Sequence, residues 1–202
     1  MESSKLPTAW LALVPLQVEC SKNSLLSKTR PQQHLNSSMH QWRPSDLNSY
    51  KANFDAAVFQ ATNTVGIGVI IRDSNGDVIG ALLFMPIPLS QSVAELEALA
   101  CRRAVQFALE IGLRRVTFEG ESVTVINAIV RGSPEFLPYG NVIDDIRFQA
   151  SGFQFLDFFH VKRNCNIVVD TPAKKAKHCV GLRVWLEDLL EDFNPLVLFD
   201  VH

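Results

Sequence analysis

The stretch VGIGVIIRDSNGDVIGALLFM, residues 65–85, decides how the chain is read. Val65 to Arg72 is an apolar, β-branched run, and Val78 to Met85 is a second one. Between them, Asp73 to Asp77 is a polar turn cluster containing Asn75-Gly76, a pair that favours a hairpin. Upstream, Lys51 to Phe54 starts another strand, so three strands form an antiparallel meander. Downstream, Pro86 and Pro88 end the sheet region, and Ser92-Val93-Ala94-Glu95 has the spacing of a capping box. The helix it opens runs to about Ile111, presents Ala94, Ala98, Ala104, Val105 and Ala108 as a packed face, and stops at Gly112. Arg115 to Glu119 is a short strand. Ser122 caps a second helix that ends at Gly132, and Asn141 caps a third toward Ala150. Phe153 to Val161 is an aromatic strand, and a last helix begins near Ile167. The order β-β-β-α-β-α-α-β-α predicts an α/β domain with one mixed, five-stranded sheet and helices on its faces.

Composition bounds this domain. The chain has 202 residues, 47% hydrophobic and 20% charged, enough for one full core without disulfide or metal staples. Residues 1–41 are rich in Ser, Gln, Asn and Pro and lack sustained periodicity, which predicts a linker or disordered segment. The domain is expected over residues 42–180, and a tail over 181–202. Trp185-Leu186 and Leu189-Leu190 with interleaved acids make that tail amphipathic. Cys20, Cys101, Cys165 and Cys179 form no Cys-x-x-Cys pair, which fits free thiols in a reducing compartment, nuclear or cytoplasmic. The Ser- and Lys-containing stretch from Ser21 to Arg30 leaves an organelle open. No run approaches the ~20 apolar residues of a membrane span, and the apolar run from Ala9 to Val18 is broken by Pro15. The net charge of −2 excludes binding of nucleic acid by bulk charge alone, so any such partner needs a local basic surface or cations that screen the acids.

Acidic residues recur at the ends of elements. Asp55 interrupts an apolar strand, where a charge is costly unless paired or metal-bound. Glu95 lies in the first turn of the first helix, where capping alone also explains it. Glu121 follows the fourth strand, and Asp170 lies early in the last helix; solvated charge explains Glu119 and Glu121 equally well. Brought to one end of a sheet, such oxygens suit Mg²⁺, and a pair of ions can activate water and stabilise a leaving oxygen. Lys162, Arg163, Lys174, Lys175, Lys177 and Arg183 gather near Asp170. They read as phosphate contacts or as a solvated face balanced by Glu187, Asp188, Glu191 and Asp192. His160 reads as structural, and Phe153 to Phe159 as core.

Several motifs in order resemble the plant ribonuclease H-like domain family, related to the reverse-transcriptase tail domains of retrotransposons. They are Trp42-Arg43-Pro44 with Lys51-Ala52-Asn53-Phe54-Asp55-Ala56, residues 66–76, Ala94-Glu95 through Ala98-Leu99, Phe118-Glu119-Gly120-Glu121-Ser122, and His160-Val161 with Arg163, Asn166, Val169 and Asp170, followed by Ala173-Lys174. The resemblance implies a ribonuclease H-like fold and an endonuclease that hydrolyses the RNA strand of RNA–DNA hybrids. It implies two Mg²⁺ ions, with Mn²⁺ as a substitute, held by Asp55, Glu95, Glu121 and Asp170. Asp55 would bridge both ions, Asp170 would serve the water-activating one, and Glu95 and Glu121 the other. Ser122, Lys162, Arg163, Asn166 and Lys174 would contact nucleic acid. Apart from the resemblance, no membrane partner is expected, and a monomer is the default where the sequence fixes no oligomeric state.

Three positions depart from the pattern. Glu121 stands for Asp, Ala56 for Gly beside the first ligand, and Pro172 for Leu in the last helix, where proline removes a donor and disfavours helix at Thr171. These departures keep two alternatives open: a nucleic-acid- or partner-binding module without catalysis, and a retrotransposon-derived remnant.

Overall fold

The computed structural model describes residues 42–88, 92–132, 137–175 and 181–186. The segment 1–41, the basic pair Lys175 and Lys177 at their side chains, and the amphipathic continuation past Leu186 lie outside the described residues.

Three strands, β1 (Tyr50–Phe59), β2 (Thr64–Arg72) and β3 (Val78–Pro88), form the expected meander. Between β2 and β3, the Asp73 carboxylate accepts from the backbone N–H of Asn75 at 2.8 Å and of Asp77 at 3.0 Å, while Gly76 adopts φ 91°. The aspartate side chain thus shapes this loop alongside the Asn-Gly pair. β3 runs through Pro86 to Pro88, which pairs with Thr64, so the strand continues past the expected end at Met85 and takes in both prolines.

Helix α1 (Val93–Glu110) starts on Ser92, whose hydroxyl accepts from the Glu95 N–H at 3.1 Å. Then follow β4 (Arg115–Gly120), α2 (Val123–Arg131), α3 (Gly140–Ala150), β5 (Phe155–His160) and α4 (Ile167–Lys175). A sixth strand, β6 (Leu182–Leu186), pairs antiparallel with β3 and lies in the segment expected to be a tail. The sheet order is β5-β4-β1-β2-β3-β6, with β1, β4 and β5 mutually parallel and the rest antiparallel. It has six strands where the sequence predicts five.

The alternation of β1 sends Ala52 and Phe54 into the large core shared with α1, α2 and α3. Ile70, Ala81, Val168 and Val169 form a smaller core under α4 on the other face, with Trp185 of β6 packed against it. Helices therefore cover both faces. α4 continues through Pro172, so the break expected at Thr171-Pro172 does not occur. Ala56 packs, partly buried, against the main core opposite Ile67. Among the described residues no helix is long and apolar enough to cross a membrane.

Candidate nucleic-acid-processing site

Two close approaches bring three distant segments together. Asp55 lies directly opposite Gly68 in the β1–β2 ladder. A Cβ at Gly68 would stand 2.8 Å from the Ala173 nitrogen and 2.9 Å from the Val169 carbonyl oxygen, so α4 crosses with its backbone on this glycine. That crossing brings Asp170 within electrostatic reach of Asp55. On the other face, a Cβ at Gly120 would meet the Phe54 ring at 2.3 Å. Phe54, the residue before Asp55, therefore packs on the end of β4, next to Glu121 in the chain.

Two buried carboxyls, Asp55 and Glu97, lie within reach of other acids here. Asp55 is only 7% exposed; burial first, and then the charges of Glu121 and Asp170, push its pKa up to about 7, with a hydrogen bond from the Ala56 backbone N–H and the charge of Arg163 offsetting part of the rise. Glu97 is 8% exposed; burial and then the charges of Asp55 and Glu121 push it up to about 8. One Glu97 oxygen, Oε2, is buried with no hydrogen-bond partner. Among the described residues, no three His, Cys, Asp or Glu side chains converge tightly enough to hold an ion between them, so the four share an electrostatic field and not yet a ligand sphere.

The α1 member of this group is Glu97, not the expected Glu95. Two helical residues are about 200° apart, so both cannot face the same point. Glu95 sits half-buried in the first turn, beside the Ser92 cap. The sequence carried a signal for Glu97. With Cys101, Ala104 and Ala108 it continues one buried stripe at spacings of four, seven and eleven, and an acid in an apolar stripe needs a reason.

A buried polar network lies one step back along β1. Lys51 Nζ donates to Glu119 at 2.7 Å, Asn53 Nδ2 donates to Glu119 at 3.1 Å and to the Asn166 oxygen at 3.0 Å, and Arg72 donates to the Asn53 oxygen at 2.9 Å. Arg72 is wholly buried, with its guanidinium 3.3 Å from the centre of the Trp42 ring. Glu119 is thus a buried, paired charge and not a solvated one. Asn166, expected to touch nucleic acid, is 0% exposed, and its amide donates to the Phe54 carbonyl at 3.1 Å and to Glu121 Oε1 at 3.3 Å. It has no surface to offer a ligand; it ties Glu121 to β1 and to the approach of α4.

The remaining expected contacts lie around the rim. Ser122 caps α2, accepting from the Val125 N–H at 3.4 Å. Lys162 and Arg163 are exposed. Arg163 donates to Asp170 Oδ1 at 3.3 Å, and Lys174 donates to Asp170 Oδ2 at 2.6 Å. His160 is exposed at the end of β5, opposite Gly120, and is no core histidine. Phe153 is buried and packs edge-on to Phe118, as core, whereas Phe159 is 41% exposed.

Residues 53–176 match the family described as reverse transcriptase-like. The structure is similar to RNase H1 from the halophilic archaeon Halobacterium salinarum, with a TM-score of 0.58 and 20% identity over 64% of this chain and 98% of that one. It is similar to the N-terminal RNase H domain of a Mycobacterium tuberculosis protein, with a TM-score of 0.57 and 16% identity over 64% and 94%. It is similar to a compost-derived metagenomic RNase H1 solved with an RNA/DNA hybrid, with a TM-score of 0.55 and 18% identity over 63% and 95%. At these identities the likeness is one of fold, the ribonuclease H fold. No curated protein matches the sequence.

Proposed function

The chain belongs to the reverse transcriptase-like family, and from that premise we propose that it binds RNA–DNA hybrids and hydrolyses their RNA strand at Asp55, Glu97, Glu121 and Asp170. The observation that carries this reading is the burial of Asp55 and Glu97, both in the field of Glu121, with one Glu97 oxygen left without a partner. A fold tolerates like charges at such cost chiefly where they act on something. One of the structural neighbours was solved with an RNA/DNA hybrid, which supports the choice of partner.

The donor set fits a hard divalent cation in kind. All four groups are carboxylates, and the orphaned oxygen is the sort of acceptor such a cation satisfies. Mg²⁺, or Mn²⁺ in its place, would be held by Asp55, Glu97, Glu121 and Asp170, and when bound would supply water activation and charge stabilisation at the phosphodiester. The chain's own groups do the rest. Asn166 fixes the Glu121 carboxylate, so the longer side chain at 121 reaches a partner that an Asp would meet less well. Lys162 and Arg163, exposed at the rim, engage backbone phosphates and set the register of the duplex, with Ser122 at the opening of α2 beside Glu121. Recognition of the RNA strand rests on 2′-hydroxyls in the wide minor groove of the hybrid.

A second reading, a module that binds hybrids without cutting them, is favoured by one feature. Both Asp170 oxygens are already taken by cationic side chains. The deciding experiment incubates the protein with a labelled hybrid and Mg²⁺ or Mn²⁺ beside Asp55→Asn, Glu97→Gln and Glu95→Gln. Cleavage that survives Glu95→Gln and is lost in the other two is expected. Hybrid binding without cleavage in the unaltered chain would leave the binding module.

A further inference from the structure

The last carboxylate is already engaged. Asp170 is 17% exposed at its side chain and receives one cation on each oxygen: Arg163 at 3.3 Å and Lys174 at 2.6 Å. The two contacts differ in kind. Lys174 stands four residues after Asp170 on α4, the spacing at which helical side chains meet, so the helix itself builds the pair. Arg163 reaches in from the short 3-10 turn Arg163–Cys165, over a longer distance. Lys174 is 59% exposed at its side chain, so its ammonium has open solvent to move into.

Resting on the cation-binding reading of this site, we infer that Lys174 is a resident counter-ion that competes with the divalent cation for Asp170. A dication arriving beside Asp170 meets a fixed positive charge at hydrogen-bond distance from the oxygen it needs. Either the ammonium leaves or the dication binds without Asp170. The ion pair is half solvated, so its release costs little and the competition is a tuning device, not a block. The pair also keeps the Asp170 carboxylate turned to a side chain one turn along its own helix. Independently of this pair, Glu97 Oε2 is buried without a hydrogen-bond partner, an acceptor suited to a cation.

Calcium titration of the full chain by calorimetry, with no nucleic acid present, tests the inference. Lys174→Met keeps most of the side-chain length and removes the charge; it should bind Ca²⁺ about three- to fivefold more tightly than the unaltered chain, the scale of a half-exposed ion pair. Lys174→Arg should stay near the unaltered value. In an Asp170→Asn background, Lys174→Met should change nothing, because the effect runs through that carboxylate. Equal or weaker binding by Lys174→Met overturns the competition while leaving the cation site intact. If neither chain binds Ca²⁺, and Asp55→Asn makes no difference, the inference falls together with the reading beneath it.

Discussion

Two stretches of β1, two residues apart, treat buried charge in opposite ways. At Lys51 and Asn53 every charge has a partner: lysine meets Glu119 at 2.7 Å, and Asn53 joins Glu119, Arg72 and Asn166. At Asp55 burial and the charges of Glu121 and Asp170 outweigh the Ala56 N–H and Arg163, and the carboxyl is driven up to about 7. Both stretches point to the face that α4 covers. The first is a scaffold whose hydrogen bonds bind β1, β2, β4 and the approach to α4 into one unit. The second is the proposed site, where the acids are balanced only in part. Buried charge by itself does not mark function; buried charge that its partners leave strongly perturbed is the better pointer.

The comparison can be broken most severely at the site. Asp55→Asn and Glu97→Gln should each reduce hybrid cleavage by about a hundredfold or more, the scale of losing a group that acts on the reacting centre, while Glu95→Gln stays within about threefold. Initial rates on a labelled hybrid read this directly, and a large loss at Glu95 with none at Glu97 would reverse the assignment on α1.

Next in size is the scaffold. Asn53→Ala strips partners from Arg72, Glu119 and Asn166 together and should lower stability by about 2–4 kcal/mol. Urea unfolding measures it, and a loss under about 0.5 kcal/mol would mean the network is incidental.

Removing charge from the site should do the opposite. In the folded chain Asp55 keeps its proton up to about 7 and Glu97 up to about 8, whereas ordinary values are 3.8 and 4.5. Between those limits the folded state holds more protons than the unfolded one, so stability falls as pH rises from about 4 to about 8. Asp55→Asn should therefore raise stability by about 1–2 kcal/mol at pH 8 and leave it unchanged at pH 4. Thermal unfolding at the two pH values tests the sign; destabilisation at pH 8 would mean that the Ala56 N–H and the Arg163 charge outweigh burial and the surrounding acids.

The smallest effect is expected at Glu121. Shortening it to Asp draws the carboxylate away from Asn166, so Glu121→Asp should lower cleavage by about two- to threefold rather than raise it. A rise would show that the extra methylene is a defect and not an accommodation.

Much of this was legible along the chain. The strand–turn–strand of residues 65–85, the Ser92 cap, the order of helices and strands through α4 and the oddity of Asp55 in an apolar strand all arise from local pattern. The choice between Glu95 and Glu97 was not settled by the cap, because Ser92 bonds the backbone of residue 95 whatever its side chain does. Strand β6 was missed because five residues in a polar-apolar tail become a strand only when the open edge of β3 receives them.

What the amino-acid order determined by itself is the series of elements and the residues that carry unusual chemistry, since periodicity, caps and turns act over a few residues. What only the tertiary structure decided is which charges are paired. Lys51 meets Glu119 across 68 positions and Asn53 meets Asn166 across 113. Electrostatic energy depends on distance and burial in space, and separation along the chain carries almost none of that information.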